Sequence, residues 1–313
     1  MTTDGFFDGM PSISPDGRGK IVFDSNRIPV LLGARIDTTN SDLFLINHDG
    51  TTDTDLNPTP LIRGSSATWS HDGERIAFHR SSSGEYGIRI PGRAELGGPT
   101  RDSDIFVVNL DDLIEHGEQP TNLTDNFELN APIGVKSSED DADWSPDGLT
   151  IAFTSRNSQC DAGLPQMPAA PRIAACQAAA EIWKMNADGT NPERLTFNTL
   201  EERSPNWSPD GTKIAFACRR DAGTPFEICV MNADGTGREF LTNNNVPDLT
   251  VDWSPDGTQI VFFRGSLADQ NVFVMNYLPD ENGSRHEIQL TTPPDIHLFP
   301  NWGTVAVGCG GGK

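Results

Sequence analysis

The side chains with the plainest capacity for chemistry are carboxylates gathered in short runs. Glu139-Asp140-Asp141 is followed closely by Asp143, Glu201-Glu202 forms a second run, and Asp8, Asp248 and Asp295 stand at comparable places. Clustered hard oxygen donors suit Ca2+, which takes about 6–8 of them. Asp140, Asp141 and Asp143 are therefore the candidate metal ligands, although no Asp-x-Asp-x-Asp-Gly calcium loop supports them by spacing. No organic cofactor is implied. Covalent catalysis finds no footing, because the Gly-x-Ser-x-Gly elbow that exposes a serine nucleophile is absent. The six histidines (His48, His71, His79, His116, His286, His297) are scattered, and His297 alone stands where a ligand would reach it. Carboxylate pairs fit for glycoside hydrolysis are too numerous to single one out. No catalytic residue is assigned.

Five cysteines carry a different chemistry. Cys160 and Cys176 fall in one loop, Cys218 and Cys229 flank a hairpin centred near Gly223, and Cys309 is left over. Two disulfide candidates, Cys160–Cys176 and Cys218–Cys229, argue for an oxidising compartment, periplasmic or extracellular. Zinc is not expected, since no Cys-x-x-Cys spacing occurs. A formal net charge of −22 and a pI near 4.4 would repel phosphate backbones, so nucleic acid is excluded as a partner. No run of about 18 apolar residues is present to span a membrane. The N-terminus shows no basic-then-apolar targeting signal.

The elements that must position these groups repeat along the chain. The turns Ser14-Pro15-Asp16-Gly17, Ser70-His71-Asp72-Gly73, Ser145-Pro146-Asp147-Gly148, Ser208-Pro209-Asp210-Gly211 and Ser254-Pro255-Asp256-Gly257 recur, preceded by Ile13, Trp69, Trp144, Trp207 and Trp253. After each comes an apolar run such as Lys213-Ile214-Ala215-Phe216. A variable loop follows, then a second run ending in Asn, as in Ile228-Cys229-Val230-Met231-Asn232. A short Leu-Thr segment closes each of the last three units, as in Phe240-Leu241-Thr242. Short β-branched and aromatic runs between Gly, Pro, Asn and Asp read as strands, and no helical period separates them. Four antiparallel strands repeated describe the blades of an all-β propeller, with the Trp position filling the space between blades. The repeats span about 9–62, 63–124, 139–196, 202–242 and 248–291, with a partial copy at 297–305, in one domain.

The phrase Trp-Ser-Pro-Asp-Gly-x-x-Ile-Ala-Phe, followed by Met-Asn-Ala-Asp-Gly-Thr and Leu-Thr, resembles the WD40-like PD40 repeat of TolB-type propellers over roughly Gly9 to Gly303. The resemblance implies a six-bladed ring acting as a periplasmic or secreted scaffold in protein–protein contacts. Related repeats also form peptidase lids and sugar-acting enzymes. Here five four-strand units are complete and only an inner strand, Phe299-Pro300-Asn301-Trp302, begins a sixth. The preferred expectation is a six-bladed ring cut inside its last blade; closure with five blades is the alternative.

Two further patterns bear on function. Arg27, Arg80, Arg156, Arg219 and Arg264 follow the second strands, and Asp42, Asp104, Glu181 and Glu227 precede the third, with Asn271 in the last unit. Recurrence in every blade marks them as structural pairs within a blade rather than a ligand-binding ring. Loop length, in contrast, singles out one face. The 2–3 connections Ile28–Ser41, Ser81–Arg101 and Asn157–Ala180 are long, while the Ser-Pro-Asp-Gly turns occupy the other end. That loop face carries the ligand candidates Arg35, Tyr86, Arg89, Arg93 and Arg172, joined by His297. The expected function is a non-catalytic, monomeric scaffold binding a protein or glycan there. The alternative is a hydrolase or lyase on polysaccharide or peptide, or the propeller lid of a larger peptidase.

Overall fold

The computed structural model describes residues 8–25, 42–47, 61–81, 103–125, 139–156, 180–266, 269–292 and 302. They form five four-stranded antiparallel sheets arranged as the blades of a propeller ring. Blade one comprises β1 (Asp8–Ile13), β2 (Lys20–Ser25), β3 (Asp42–Asn47) and β4 (Ile62–Arg63). Blade two has β5 (Ser65–Trp69), β6 (Arg75–Ser81), β7 (Ser103–Asn109) and β8 (Thr121–Asn122). Blade three has β9 (Glu139–Trp144), β10 (Thr150–Ser155), β11 (Glu181–Asn186) and β12 (Glu193–Arg194). Blade four has β13 (Glu202–Trp207), β14 (Lys213–Arg219), β15 (Phe226–Asn232) and β16 (Glu239–Phe240). Blade five has β17 (Asp248–Trp253), β18 (Gln259–Ser266), β19 (Asp269–Asn276) and β20 (Ile288–Gln289).

The repeated turn works as its residue types dictate. In blade four the Ser208 hydroxyl donates to Asp210, and the backbone N–H of Thr212 donates to Asp210 Oδ1. The Lys213 N–H donates to Ser208 Oγ, and Gly211 takes φ +71, a conformation that a β-carbon would penalise. His71 occupies the Pro position of the second turn, where Asp72 still accepts the Glu74 N–H.

Each blade is too thin to bury its own faces, so the core lies between blades. Trp207, Ile214, Phe216, Cys229 and Met231 of blade four pack on Ala152, Ile182 and Leu195 of blade three. Trp253, Ile260, Phe262 and Met275 of blade five meet Ala215, Ile228, Val230 and Leu241 of blade four in the same way. The Trp position does fill the space between blades. Cys218 and Cys229 are joined across β14 and β15, both fully buried. Cys160, Cys176 and Cys309 lie outside the described residues.

One element is new relative to the repeat. Between β7 and β8 the chain inserts a short helix, α1 (Leu110–His116), with Asn109 capping its N-terminus and Gly117 in the left-handed conformation at its C-terminus. Asn109 is the residue that ends the third strand of every blade. Here it is followed by Leu-Asp-Asp rather than Ala-Asp-Gly, so the same Asn starts a helix instead of a turn.

Candidate functional site

The five inner strands β1, β5, β9, β13 and β17 line a central channel, and each carries the same distortion. A β-bulge interrupts its pairing with the second strand. At each bulge a non-glycine residue takes a left-handed conformation: Met10 (φ 46), Ser66 (φ 51), Asp141 (φ 53), Ser204 (φ 53) and Thr250 (φ 45). Such backbone costs about 1–3 kcal/mol per residue and persists only where the surroundings over-determine it. Its effect is to aim two residues per strand at the axis. The residue between them, Ala67, Ala142 or Val251, turns into the inter-blade core.

Two tiers result, surrounding a cavity of about 130 Å3. One tier is Met10, Ser66, Asp141, Ser204 and Thr250; the other is Ser12, Thr68, Asp143, Asn206 and Asp252. On the turn side the second tier opens into a collar of about 320 Å3, where Trp69, Trp144, Trp207, Trp253 and Trp302 with Pro15, Pro146, Pro209 and Pro255 are interspersed with polar groups including His71.

Hydrogen bonds between successive blades hold the tiers. Ser204 Oγ donates to Asp141 Oδ2 at 2.9 Å, and Thr68 Oγ1 donates to Asp143 Oδ1 at 3.3 Å. Asp143 Oδ2 accepts the backbone N–H of Trp207 at 2.8 Å. Asp252 Oδ2 accepts the backbone N–H of Trp302 at 2.6 Å, the same contact made after blade five. Burial lifts the Asp143 carboxyl to about 7, against the lowering effect of Trp207 and Thr68. Burial likewise lifts Asp252 to about 7, with repulsion from Asp143 adding to it. Asp141 is also raised, by burial and then by the neighbouring Asp140 charge. Asp143 and Asp252 thus stand partly protonated near neutrality, able to accept or donate hydrogen bonds.

Of the sequence-derived metal candidates, Asp141 and Asp143 face this channel, while Asp140 is turned away to Arg156 at 2.8 Å. Among the described residues no three His, Cys, Asp or Glu side chains are grouped as metal ligands. Glu202 and Asp248, at comparable strand entrances, are fully buried and held by Arg238 and Arg264. Arg35, Tyr86, Arg89, Arg93, Arg172 and His297 lie outside the described residues.

The arginine pairing runs differently from the sequence expectation. Arg156 and Arg264 remain within their own blades but reach the inner strand, to Asp140 and Asp248, and Arg219 reaches Glu201. The carboxylates that begin the third strands of blades two to four are instead held by the closing Leu-Thr, Glu181 by Arg194 as well. Thr196 Oγ1 donates to Glu181 and accepts the Ile182 N–H; Thr242 does the same for Glu227 and Ile228, and Thr124 for Asp104 and Ile105. The physical reason is reach. A neutral hydroxyl one strand away satisfies a buried carboxylate and a backbone donor together, leaving the arginine free for the inner strand. Burial nonetheless lifts Glu181 to about 7, despite Arg194 and Thr196, with Glu202 pushing it further. The inner-strand bulges are not legible in the sequence, because a glycine adjoins only the first of them, Gly9; the shared signal is position, three residues before each Trp or Ile13.

No family model and no curated protein matches this chain in sequence. Solved structures do match its fold. A putative TolB from Agrobacterium tumefaciens is 20% identical with a TM-score of 0.60, over 91% of this chain and 81% of that one. TolB from Acinetobacter baumannii is 16% identical with a TM-score of 0.58, over 95% of this chain but 57% of its own length. An oligogalacturonate lyase from Vibrio parahaemolyticus is 12% identical with a TM-score of 0.51, over 94% of this chain and 68% of that one. The fold is a TolB-like β-propeller, and a lyase is among the proteins that share it.

Proposed function

We propose that this propeller is a non-catalytic scaffold that takes a protein or glycan partner on its loop face, over the channel mouth. The observation that carries the reading is the two-tiered channel wall, whose five repeated bulges and inter-blade hydrogen bonds hold hydroxyl, amide and carboxyl groups in fixed positions. Arg35, Tyr86, Arg89, Arg93, Arg172 and His297 would supply the outer contacts. Ca2+ between Asp141 and Asp143 is a secondary element of this reading, and the ring is taken as six-bladed. The partner pairs with a monomer in a periplasmic or secreted setting, consistent with the Cys218–Cys229 disulfide. No helix of the described residues is long and apolar enough to cross a membrane.

One observation favours a second reading, an acid–base enzyme on polysaccharide or peptide, or a peptidase lid. Asp143 and Asp252 both titrate near neutrality within one channel, the condition under which a carboxyl serves as acid or base. One experiment separates the two. The chain is screened on glycan and periplasmic-protein arrays and in parallel for cleavage of oligogalacturonate and peptides. Specific retention that Tyr86→Ala abolishes at unchanged melting temperature supports the scaffold. Turnover that Asp143→Asn abolishes would overturn it.

A further inference from the structure

The turn-side mouth of the channel carries a pair of acids with no counter-charge. Asp143 and Asp252 both line its collar, from β9 and β17, strands that β13 separates. Among the described residues no lysine or arginine lines it, and His71 is its one other titratable group. The hydrogen bonds to these two carboxyls come from neutral donors. Asp143 takes the Thr68 hydroxyl and the Trp207 N–H, and Asp252 takes the Trp253 and Trp302 N–H groups. Three carboxyls buried toward the loop face are, in contrast, each met by a cation: Glu202 by Arg238 at 2.6 Å, Asp248 by Arg264 at 2.6 Å and Glu181 by Arg194 at 2.8 Å. Burial that no such partner offsets holds Asp143 and Asp252 at about 7. A positive charge brought between them would relieve it.

The walls suit the stem of such a cation. Trp and Pro side chains above the two carboxyls can take a methylene chain while its charged head reaches the acids below. The molecule makes a related contact within itself. The Arg75 guanidinium lies over the Trp144 ring at 4.5 Å and donates to Gly148 O at 3.2 Å, outside the residues that line the collar. The rim adds permanent charge. Hydrogen bonds from the Ser145, Ser208 and Ser254 hydroxyls hold the Asp147, Asp210 and Asp256 carboxyls below their usual range. The equivalent aspartates of blades one and two pair with Arg18 and Arg75; among the described residues no lysine or arginine pairs with these three. A field of one sign around a cavity mouth draws ligands of the other.

We propose that the turn-side collar is a second binding site, separate from the loop face, for an ammonium or guanidinium group carried on an alkyl stem. A lysine or arginine side chain of a partner presents that chemistry, and so does a free polyamine. The charged head sits between Asp143 and Asp252, and the stem runs along the Trp and Pro walls. A neutral sugar would use the walls but leave the acids uncompensated, and an anion would meet repulsion. The inference goes beyond the scaffold reading, which Tyr86→Ala tests on the other face.

The probes are Nα-acetyl-arginine methylamide, its neutral citrulline isostere and spermidine, each titrated calorimetrically into the whole chain. The expected result is one-to-one binding of a cationic probe and none of the citrulline form; the tighter of the two cations assigns the source. Affinity should rise about tenfold or more between about pH 5.5 and 8, because binding favours ionised Asp143 and Asp252 and releases their protons. The other titratable groups near the head are His71 at the rim and Asp141 one tier further in. His71→Pro, which restores the residue of the other four turns, should keep the pH dependence. Asp252→Asn should weaken binding about tenfold or more at about pH 8, with thermal unfolding reporting an intact fold. His71→Arg, at an exposed position, should weaken it too by placing a guanidinium in the collar. Leu149→Arg adds the same charge to the turn face outside the collar and should change affinity less than about twofold. No binding of either cation, equal binding of the citrulline form, a flat pH profile, or equal losses for Leu149→Arg and His71→Arg would overturn the proposal.

Discussion

Asp252→Asn tests the electrostatics of the channel most directly. In the folded protein the Asp252 carboxyl is lifted to about 7 by burial and by the Asp143 charge. Unfolded, an Asp ionises near its ordinary value of about 3.9. Between these values the unfolded chain has released a proton that the folded chain retains. The stability this group contributes is therefore complete below about pH 4 and is lost as pH rises toward 7. The slope is about 1.4 kcal/mol per pH unit for one group, and the full window of about three units bounds the effect at ~4 kcal/mol. Asn copies the neutral carboxyl and does not titrate. It also leaves one of the Trp253 and Trp302 backbone donors without its acceptor, a cost of about 1–3 kcal/mol. The variant should thus be less stable than the parent at pH 5 and at least as stable at pH 8, with the two curves crossing between. Urea unfolding at pH 5, 6, 7 and 8 reads this as a difference in slope of about one proton, in which the other raised carboxyls, Asp143 and Glu181 among them, largely cancel. Parallel curves, differing by a constant within about 0.3 kcal/mol, would refute the account of Asp252 as a carboxyl kept neutral by burial.

Three further outcomes follow from the packing. Gly235→Ala should destabilise by more than about 1 kcal/mol, because the position has φ +83 and a β-carbon would strike Leu195 O; thermal unfolding measures it. Thr242→Val removes the hydroxyl that holds Glu227 and the Ile228 N–H, and should cost about 1–3 kcal/mol by denaturant unfolding, whereas Thr242→Ser should cost much less. Cys218→Ser with Cys229→Ser should lower stability by ~2–4 kcal/mol, and a reductant should lower the parent's melting temperature by more than the variant's.

What the sequence determined by itself is the repeating unit. The Ser-Pro-Asp-Gly turns, the apolar runs and the Trp before each turn specify four strands per blade, because turn geometry and strand period are local properties that residue type controls. The Cys218–Cys229 pairing was legible for the same reason, being confined to one hairpin. Helix α1 is hidden by the repeat, because an Asn that ends a strand elsewhere serves there as an N-cap, and only the residues after it decide which. The partners of the charged groups were not legible at all. That Glu181 is met by Arg194 and Thr196 of the closing segment, and that Asp140 faces Arg156 and not the axis, depends on which strand edges the ring brings together. The channel belongs to the same class. Met, Ser and Thr at the bulge positions carry no local preference for a left-handed backbone, and they adopt it because the packing of successive blades outweighs a strain of about 1–3 kcal/mol at each one.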